Sequence, residues 1–446
     1  PAGPDAAGFH LAGGTPPEVS KRACAAQASG EFEGYLLIRR KTWCVFRVPF
    51  THYATRITAS STKRGFFLPC WKAKSWFGVL ALTSDSVYNG RDTKWHARGP
   101  EVKLMKAVLF YAPGDIRFEE IARPKAGPGE VVVEIKAALT CGTDLKTYKR
   151  GHPVIIKKAP TVFGHELAGV IAELGPGVEG FSVGQRVVAA NSAPCNRCFY
   201  CQRGHPNLCE NIEFLNGAYA EFIAIPACIV EQNLLPIPDG VAFRQAALVE
   251  PLACAIHGIE RSKIKPGDIV CIIGHGPIGL MLTRLAKLKG AKVIVVGRNP
   301  FKLEKARQFG ADELVDITVV SDPVKAVRGL TPWGQGVDVA IEAVGLPETW
   351  EEAIAMTRRG GLVNLFGGCK PGTHVKVDTR RLHYDELEII GVFHHTPGYI
   401  RTALSLISSG QIDADALITH EMPLERLEEA LQLMARGEAL KVAIIP

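Results

Sequence analysis

The chain has 446 residues, 47% of them hydrophobic and 22% charged, an ordinary composition for a globular protein of two or three domains with a large buried core. Its formal net charge of +7 is unevenly spread: residues 1–104 hold 15 Lys and Arg against 7 Asp and Glu, so the other 342 residues carry a net charge of −1. The body therefore gives no support to a nucleic-acid or membrane partner, and with no apolar run near the length of a membrane span it reads as soluble and cytoplasmic.

Residues 1–104 differ from the rest in more than charge. They hold four of the six tryptophans (Trp43, Trp71, Trp76, Trp95) together with Cys24, Cys44 and Cys70, and the first methionine is Met105. Short apolar runs such as 35–38 are broken by Arg39-Arg40-Lys41, with no sustained periodicity. This segment is expected to be an atypical basic extension outside the fold, upstream sequence not normally translated. A targeting peptide would be basic and acid-poor in the same way, but its length and tryptophans do not suit one. A basic binding domain is the remaining rival.

From 105 to 254 short strands alternate with Gly and Pro turns, beginning at once with 106–110 and continuing at 131–135, 168–172 and 186–189. This predicts a partly closed antiparallel β-domain. Within it, Cys195, Cys198, Cys201 and Cys209 follow the spacing C-x2-C-x2-C-x7-C. One compact loop can thus offer four thiolates to a tetrahedral zinc. A ferredoxin cluster would close on a C-x3-C-P ending, which is absent, and cysteines two residues apart bridge poorly as disulfides. Upstream lies a second metal-type group, Cys141 followed by Gly164-His165-Glu166. A closed structural site beside an open one suggests zinc used for chemistry.

From 255 to 395 the rhythm changes to strand and helix in alternation. Runs 269–273, 292–296, 337–342 and 361–366 read as buried parallel strands, and 280–288 and 301–309 as helices, which predicts a doubly wound α/β domain. The loop Gly274-His275-Gly276-Pro277-Ile278-Gly279 follows the first of these strands and opens a helix, the context in which a GxGxxG turn holds a dinucleotide pyrophosphate. At the end of the next strand, where an NAD site carries Asp or Glu, the chain has Gly297-Arg298-Asn299. Without that carboxylate a 2′-phosphate is not repelled, and Arg298 helped by Lys302 can pair with it; the cofactor is NADP or NAD, with NADP favoured. The tail 396–446 carries a helical pattern at 424–434 and a last strand at 441–445, and is expected to return to the first domain.

Taken in order, Cys141-Gly142-Thr143-Asp144, Gly164-His165-Glu166, the four-cysteine lobe, Val249-Glu250-Pro251 and the Gly274–Gly279 loop resemble the zinc-dependent medium-chain dehydrogenases, in the branch of the sorbitol (polyol) and threonine dehydrogenases. The resemblance spans 105–446 and implies a GroES-like, mostly β catalytic domain joined to a Rossmann domain. It implies two zinc ions per chain, one structural and one catalytic, the latter held by Cys141, His165 and Glu166, with Glu250 either a ligand or the holder of the bound water. It implies oxidation of a small-molecule alcohol, a secondary alcohol of a polyol or sugar-like substrate, by hydride transfer to NAD(P). Threonine or another amino alcohol is the alternative substrate, and a zinc-free quinone-reductase or crystallin-like relative the alternative class, opposed by the intact ligand set. Thr143 matches the residue that passes the proton outward, and Asp144 the one that orients the ligands. Where relatives carry a proton-relaying His, this chain has Lys146, with His152 a substitute. Family members are homo-oligomers, dimers or tetramers. His394 and His395 are placed to face the cleft between domains, and Cys228, Cys254, Cys271 and Cys369 are expected to be small buried apolar groups.

Overall fold

The computed structural model describes residues 102–152 and 156–446. The expected basic extension therefore lies outside the described residues, apart from its last three, of which Leu104 opens the first strand, Leu104–Ala112, opposite Ala122. Among the described residues no helix is long and apolar enough to cross a membrane.

The first part of the fold is β-sheet, antiparallel except where Ile418–Pro423 runs parallel to Lys441–Ile445. Val131–Leu139 is its central strand; its first three residues are fully buried, and it pairs with Leu167–Leu174 on one side and with Phe222–Ile225. Apolar and β-branched residues on both faces explain its place in the middle of the sheet rather than at an edge. The same sheet continues through Arg186–Ala189 to Leu234–Pro236 and, in the other direction, through Lys441–Ile445 to Ile418–Pro423. The last strand of the chain is thus hydrogen-bonded to the third, Ala443 opposite Leu139 and Ile444 opposite Ala138. A smaller sheet of Asp115–Ala122, Leu104–Ala112 and Thr161–Val162 stands beside it.

The second part is a six-stranded sheet in the order Glu313–Asp316, Lys292–Gly297, Ile269–Ile273, Val337–Glu342, Thr357–Leu365, Glu388–Gly391, parallel throughout. That order reverses direction at Ile269–Ile273, so a crevice for a dinucleotide opens beyond the carboxyl ends of the strands at the reversal. The turn after Ile269–Ile273 leads into the helix Pro277–Leu288, with Gly276 as N-cap and Pro277 in the first helical position, where its missing N–H costs nothing. At Gly279 a Cβ would lie 2.0 Å from the Gly274 carbonyl oxygen, so only glycine lets this helix approach the strand so closely.

The change of rhythm read at about 255 falls inside a single helix, Val249–Arg261. Apolar on nearly every side and almost wholly buried, this helix packs against both parts, its start near the β-domain and its body against the α/β core. A periodicity change marks where strands give way to helices; it does not mark a linker.

Candidate active site

Cys141 sits at the N-cap of the helix Gly142–Arg150, directly after Val131–Leu139. Its thiol accepts the N–H of Thr143 at 3.4 Å, and the Asp144 carboxylate accepts the N–H of Cys141 at 2.9 Å, a capping box built on a cysteine. Asp144, only 2% exposed, also accepts the hydroxyl of the fully buried Tyr219 at 2.7 Å and lies 3.2 Å from His165 Nδ1. That last pair is close but poorly aligned, which leaves Nδ1 without a formal hydrogen bond. Burial alone would disfavour the His165 imidazolium, but the charge and contact of Asp144 together with those of Cys141 outweigh it and hold this pKa well above its usual value.

Glu166 points into the protein interior beside them. Both its carboxylate oxygens contact Lys441 Nζ, at 2.7 and 2.5 Å, and the same ammonium donates to the Thr140 carbonyl at 3.1 Å. Neither Glu166 (0% exposed) nor Lys441 (2%) meets solvent. Burial pushes the Glu166 carboxyl up to about 7 against the pull of Lys441 and His165, while the Glu166 charge keeps Lys441 protonated. Lys441 is absent from the reading of the sequence. The available signal was a lysine inside the otherwise apolar run Leu440 to Ile445, an outlier in a central strand.

Ligand atoms of Cys141, His165 and Glu166 all lie within 4.8 Å of one another. A thiolate, an imidazole whose second nitrogen faces a carboxylate, and a carboxylate form a donor set suited to zinc with a position left open. Glu250, near the start of Val249–Arg261, falls in a neighbouring group with His394 and His395. Its Oε1 lies 3.9 Å from His395 Nε2 and accepts the Cys254 thiol at 3.7 Å. So Cys254 touches the site and is more than apolar filling, whereas Cys271 is fully buried in the core as expected.

His394 and His395 follow the last strand of the parallel sheet and reach across to the β-domain. His394 Nε2 lies 2.6 Å from Ser192 Oγ, and His395 Nε2 lies 2.9 Å from Asn191 Oδ1. His257 Nδ1 meets the His394 carbonyl at 2.7 Å. Burial holds the His394 imidazole down to about 4 and the His395 imidazole well below its usual value, so both rings are neutral near pH 7. His394 has φ of +63°, an unusual backbone for a non-glycine residue, held by contacts on both sides. The two domains therefore meet in a cluster of uncharged hydrogen-bonding groups beside Glu250.

Thr143 is half-buried in the first helical turn and Lys146 is exposed one turn on. His152 is half-buried, and its pKa is lowered first by burial and then by the charges of Arg150, His165 and Lys146. It therefore stands between the buried site and the surface.

In the cysteine lobe, the sulfurs of Cys195, Cys198, Cys201 and Cys209 lie within 4.8 Å of one another, with Cys198 at 3.5 Å from Cys201 and 3.8 Å from Cys209. These separations match the edges of a tetrahedron with zinc–sulfur bonds of about 2.3 Å. The backbone N–H of Arg197 pulls the Cys195 thiol down to about 6, while burial and the neighbouring sulfurs push Cys201 up to about 12, so a metal must displace protons to bind here.

The dinucleotide loop lies at the carboxyl end of Ile269–Ile273, as the crevice requires. Arg298 is exposed and Lys302 half-buried; among the described residues neither has an ion pair, and burial followed by the Arg298 charge lowers the Lys302 pKa. Two cations without an ion pair among the described residues thus follow the strand Lys292–Gly297.

Known proteins resemble this chain in sequence and fold. Residues 277–409 match the zinc-binding dehydrogenase family, and residues 127–239 match the alcohol dehydrogenase GroES-like domain. The chain is 33% identical over 352 residues to a sorbitol dehydrogenase of Bacillus subtilis (strain 168), covering 77% of this chain and 97% of that one. It is 34% identical over 351 residues to an L-threonine 3-dehydrogenase of Pyrococcus horikoshii, covering 76% and 98%. A zinc-binding dehydrogenase from Sinorhizobium meliloti 1021, solved bound to NADP, superposes with a TM-score of 0.71 at 32% identity, over 77% of this chain and all of that one. The chain belongs to the zinc-dependent medium-chain dehydrogenase family, in its polyol and threonine dehydrogenase branch. It is an oxidoreductase whose cofactors are zinc and NAD(P).

Two outcomes follow from this geometry. Cys198→Ser should lower the zinc content by one equivalent per chain and lower the unfolding temperature, measured by metal analysis and calorimetry on one preparation. Lys441→Met leaves the Glu166 carboxylate buried and unpaired and should cost about 3–5 kcal/mol of stability, read by chemical denaturation. A loss under about 1 kcal/mol would mean that the Lys441–Glu166 pair does not hold the strand Lys441–Ile445 in place.

Proposed function

We propose that this protein is a zinc-dependent polyol dehydrogenase that oxidises a secondary alcohol and reduces NADP in preference to NAD. The observation that carries the reading is the juxtaposition of the Cys141–His165–Glu166 donor set with the neutral Asn191, Ser192, His394 and His395 cluster next to Glu250. Such uncharged donors and acceptors suit the neighbouring hydroxyls of a polyol better than the ammonium and carboxylate of threonine. The similarity to a sorbitol dehydrogenase points the same way.

In this reading Cys141 and His165 hold the catalytic metal with Glu166 or Glu250, and Cys195, Cys198, Cys201 and Cys209 hold the structural one. When bound, zinc supplies the Lewis acidity that makes the substrate hydroxyl a stronger acid, and the nicotinamide accepts the hydride. Asp144 fixes the His165 ring, and Thr143 takes the hydroxyl proton and hands it outward past His152. Gly274, Gly276, Pro277, Ile278 and Gly279 form the turn and helix start that receive the pyrophosphate. Gly297 leaves room at the ribose, and Arg298 and Lys302 take the 2′-phosphate. The protein works as a homo-oligomer, dimer or tetramer, in the cytoplasm.

The test is formation of reduced nicotinamide by the zinc-loaded protein on a panel of polyols and threonine, with NADP and NAD compared at equal concentration. Polyol oxidation with a higher kcat/KM for NADP is the expected result. Turnover of threonine alone would replace the substrate, and failure to oxidise any alcohol in either cofactor would overturn the reading.

A further inference from the structure

We infer that His275 and Gly297 form a steric interlock that sets which dinucleotide the site accepts, an inference that rests on the NADP reading above. His275 occupies the variable position between the first two glycines of the phosphate loop. Its Nε2 accepts two backbone hydrogen bonds, from the N–H of Arg298 at 3.3 Å and of Asn299 at 3.0 Å. Two donors on one nitrogen fix the tautomer with the ring proton on Nδ1. The imidazole thus ties the pyrophosphate loop to the residues that follow the next strand, Lys292–Gly297, where the ribose is read.

The ring lies against the bare Cα of Gly297. A Cβ built there would stand 2.6 Å from the ring Cγ, 2.7 Å from Cδ2 and 2.9 Å from Nδ1, far inside the ordinary contact distance of about 3.5–4.0 Å. Gly297 does not have a positive φ, so its backbone would accept any residue. The imidazole, and not the backbone, is what excludes a side chain. The excluded position is the one from which an NAD site presents a carboxylate to the ribose hydroxyls.

Swinging His275 aside would break its hydrogen bonds from the Arg298 and Asn299 N–H groups, the latter half-buried, so the ring is held in place by both. Asn299 is itself fixed: its side chain caps the helix Pro300–Gln308 by accepting from Lys302 N–H at 3.2 Å and donates to the Gly437 carbonyl at 3.3 Å. Burial, with the nearby Lys302 and Arg298 charges, holds the His275 pKa down to about 4, which keeps the ring a neutral acceptor across the working range. One ring therefore shuts out the ribose-binding carboxylate and anchors the backbone that carries the phosphate-binding arginine.

The test is a double-mutant cycle in the full chain with Gly297→Ala, Gly297→Asp and His275→Ala, singly and in pairs. Two readouts are taken: thermal unfolding without dinucleotide, and calorimetric binding of NADP and of NAD. The interlock predicts that Gly297→Ala lowers the unfolding temperature by about 4 °C or more alone, and by under about 1 °C in the His275→Ala background. It also predicts that Gly297→Asp tightens NAD binding about tenfold only when combined with His275→Ala. Equal unfolding shifts for Gly297→Ala in the two backgrounds, or the same NAD gain from Gly297→Asp alone, would overturn it. Tighter binding of NAD than NADP by the unmutated protein overturns the cofactor reading, and with it the role of the interlock in selectivity, whatever the unfolding cycle gives.

Discussion

The carboxylate of Asp144 is the joint on which the site depends. It receives the backbone N–H that starts the Cys141 helix, the hydroxyl of Tyr219 from a distant loop, and the approach of His165 from the turn before the next strand. Three segments that share no local sequence are thereby fixed around one buried group. A thiol and an imidazole bind a metal more tightly when both are held in place before it arrives. Here the Cys141 thiol is fixed by helix capping, and the His165 ring is drawn by charge toward a carboxylate 3.2 Å away that is itself engaged by Cys141 N–H and Tyr219.

The second constraint is the return of the chain end. Pairing of Lys441–Ile445 with Val131–Leu139 delivers an ammonium to Glu166 from 275 positions away. Thr140, directly before Cys141, is stitched to the same strand: its N–H donates to the Val442 carbonyl at 3.0 Å and its hydroxyl oxygen accepts the Val442 N–H at 2.9 Å. The metal-side loop, the carboxylate and the last strand thus form one unit. Lys441 also limits what Glu166 can do: a carboxylate gripped through both oxygens is a counter-ion first and can serve as a metal ligand only by sharing that grip. Across the cleft, the His394–Ser192 and His395–Asn191 contacts join the α/β domain to the β-domain next to the metal group.

What was legible in the sequence followed from local rules. The parallel strands, the glycine loop and the four-cysteine lobe each announce themselves within about thirty residues, because a turn, a strand period or a metal knuckle is a short-range device. Gly297-Arg298 drew notice for the same reason, as the residues that follow a strand at a fixed distance from the glycine loop. The pairs that join remote segments were not readable: Lys441 with Glu166, Tyr219 with Asp144, and Asn191 with His395 have spacings set by the closure of the sheets and leave no periodic trace. His275 shows the limit most plainly. It stood in view as the variable residue of a motif, and only the folded geometry reveals that its ring occupies the space that makes Gly297 necessary. The boundary read at 255 missed for a related reason, because a helix buried on all sides belongs to both of the parts it packs between.

The central claim is that Asp144 preorganises Cys141 and His165 as a metal site. Its most direct test is a competitive zinc titration of Asp144→Asn, which keeps the shape of the side chain and removes its charge. The account predicts that one of two zinc equivalents binds about 10- to 100-fold more weakly while the cysteine-lobe metal is retained. Unchanged affinity at both sites would contradict it.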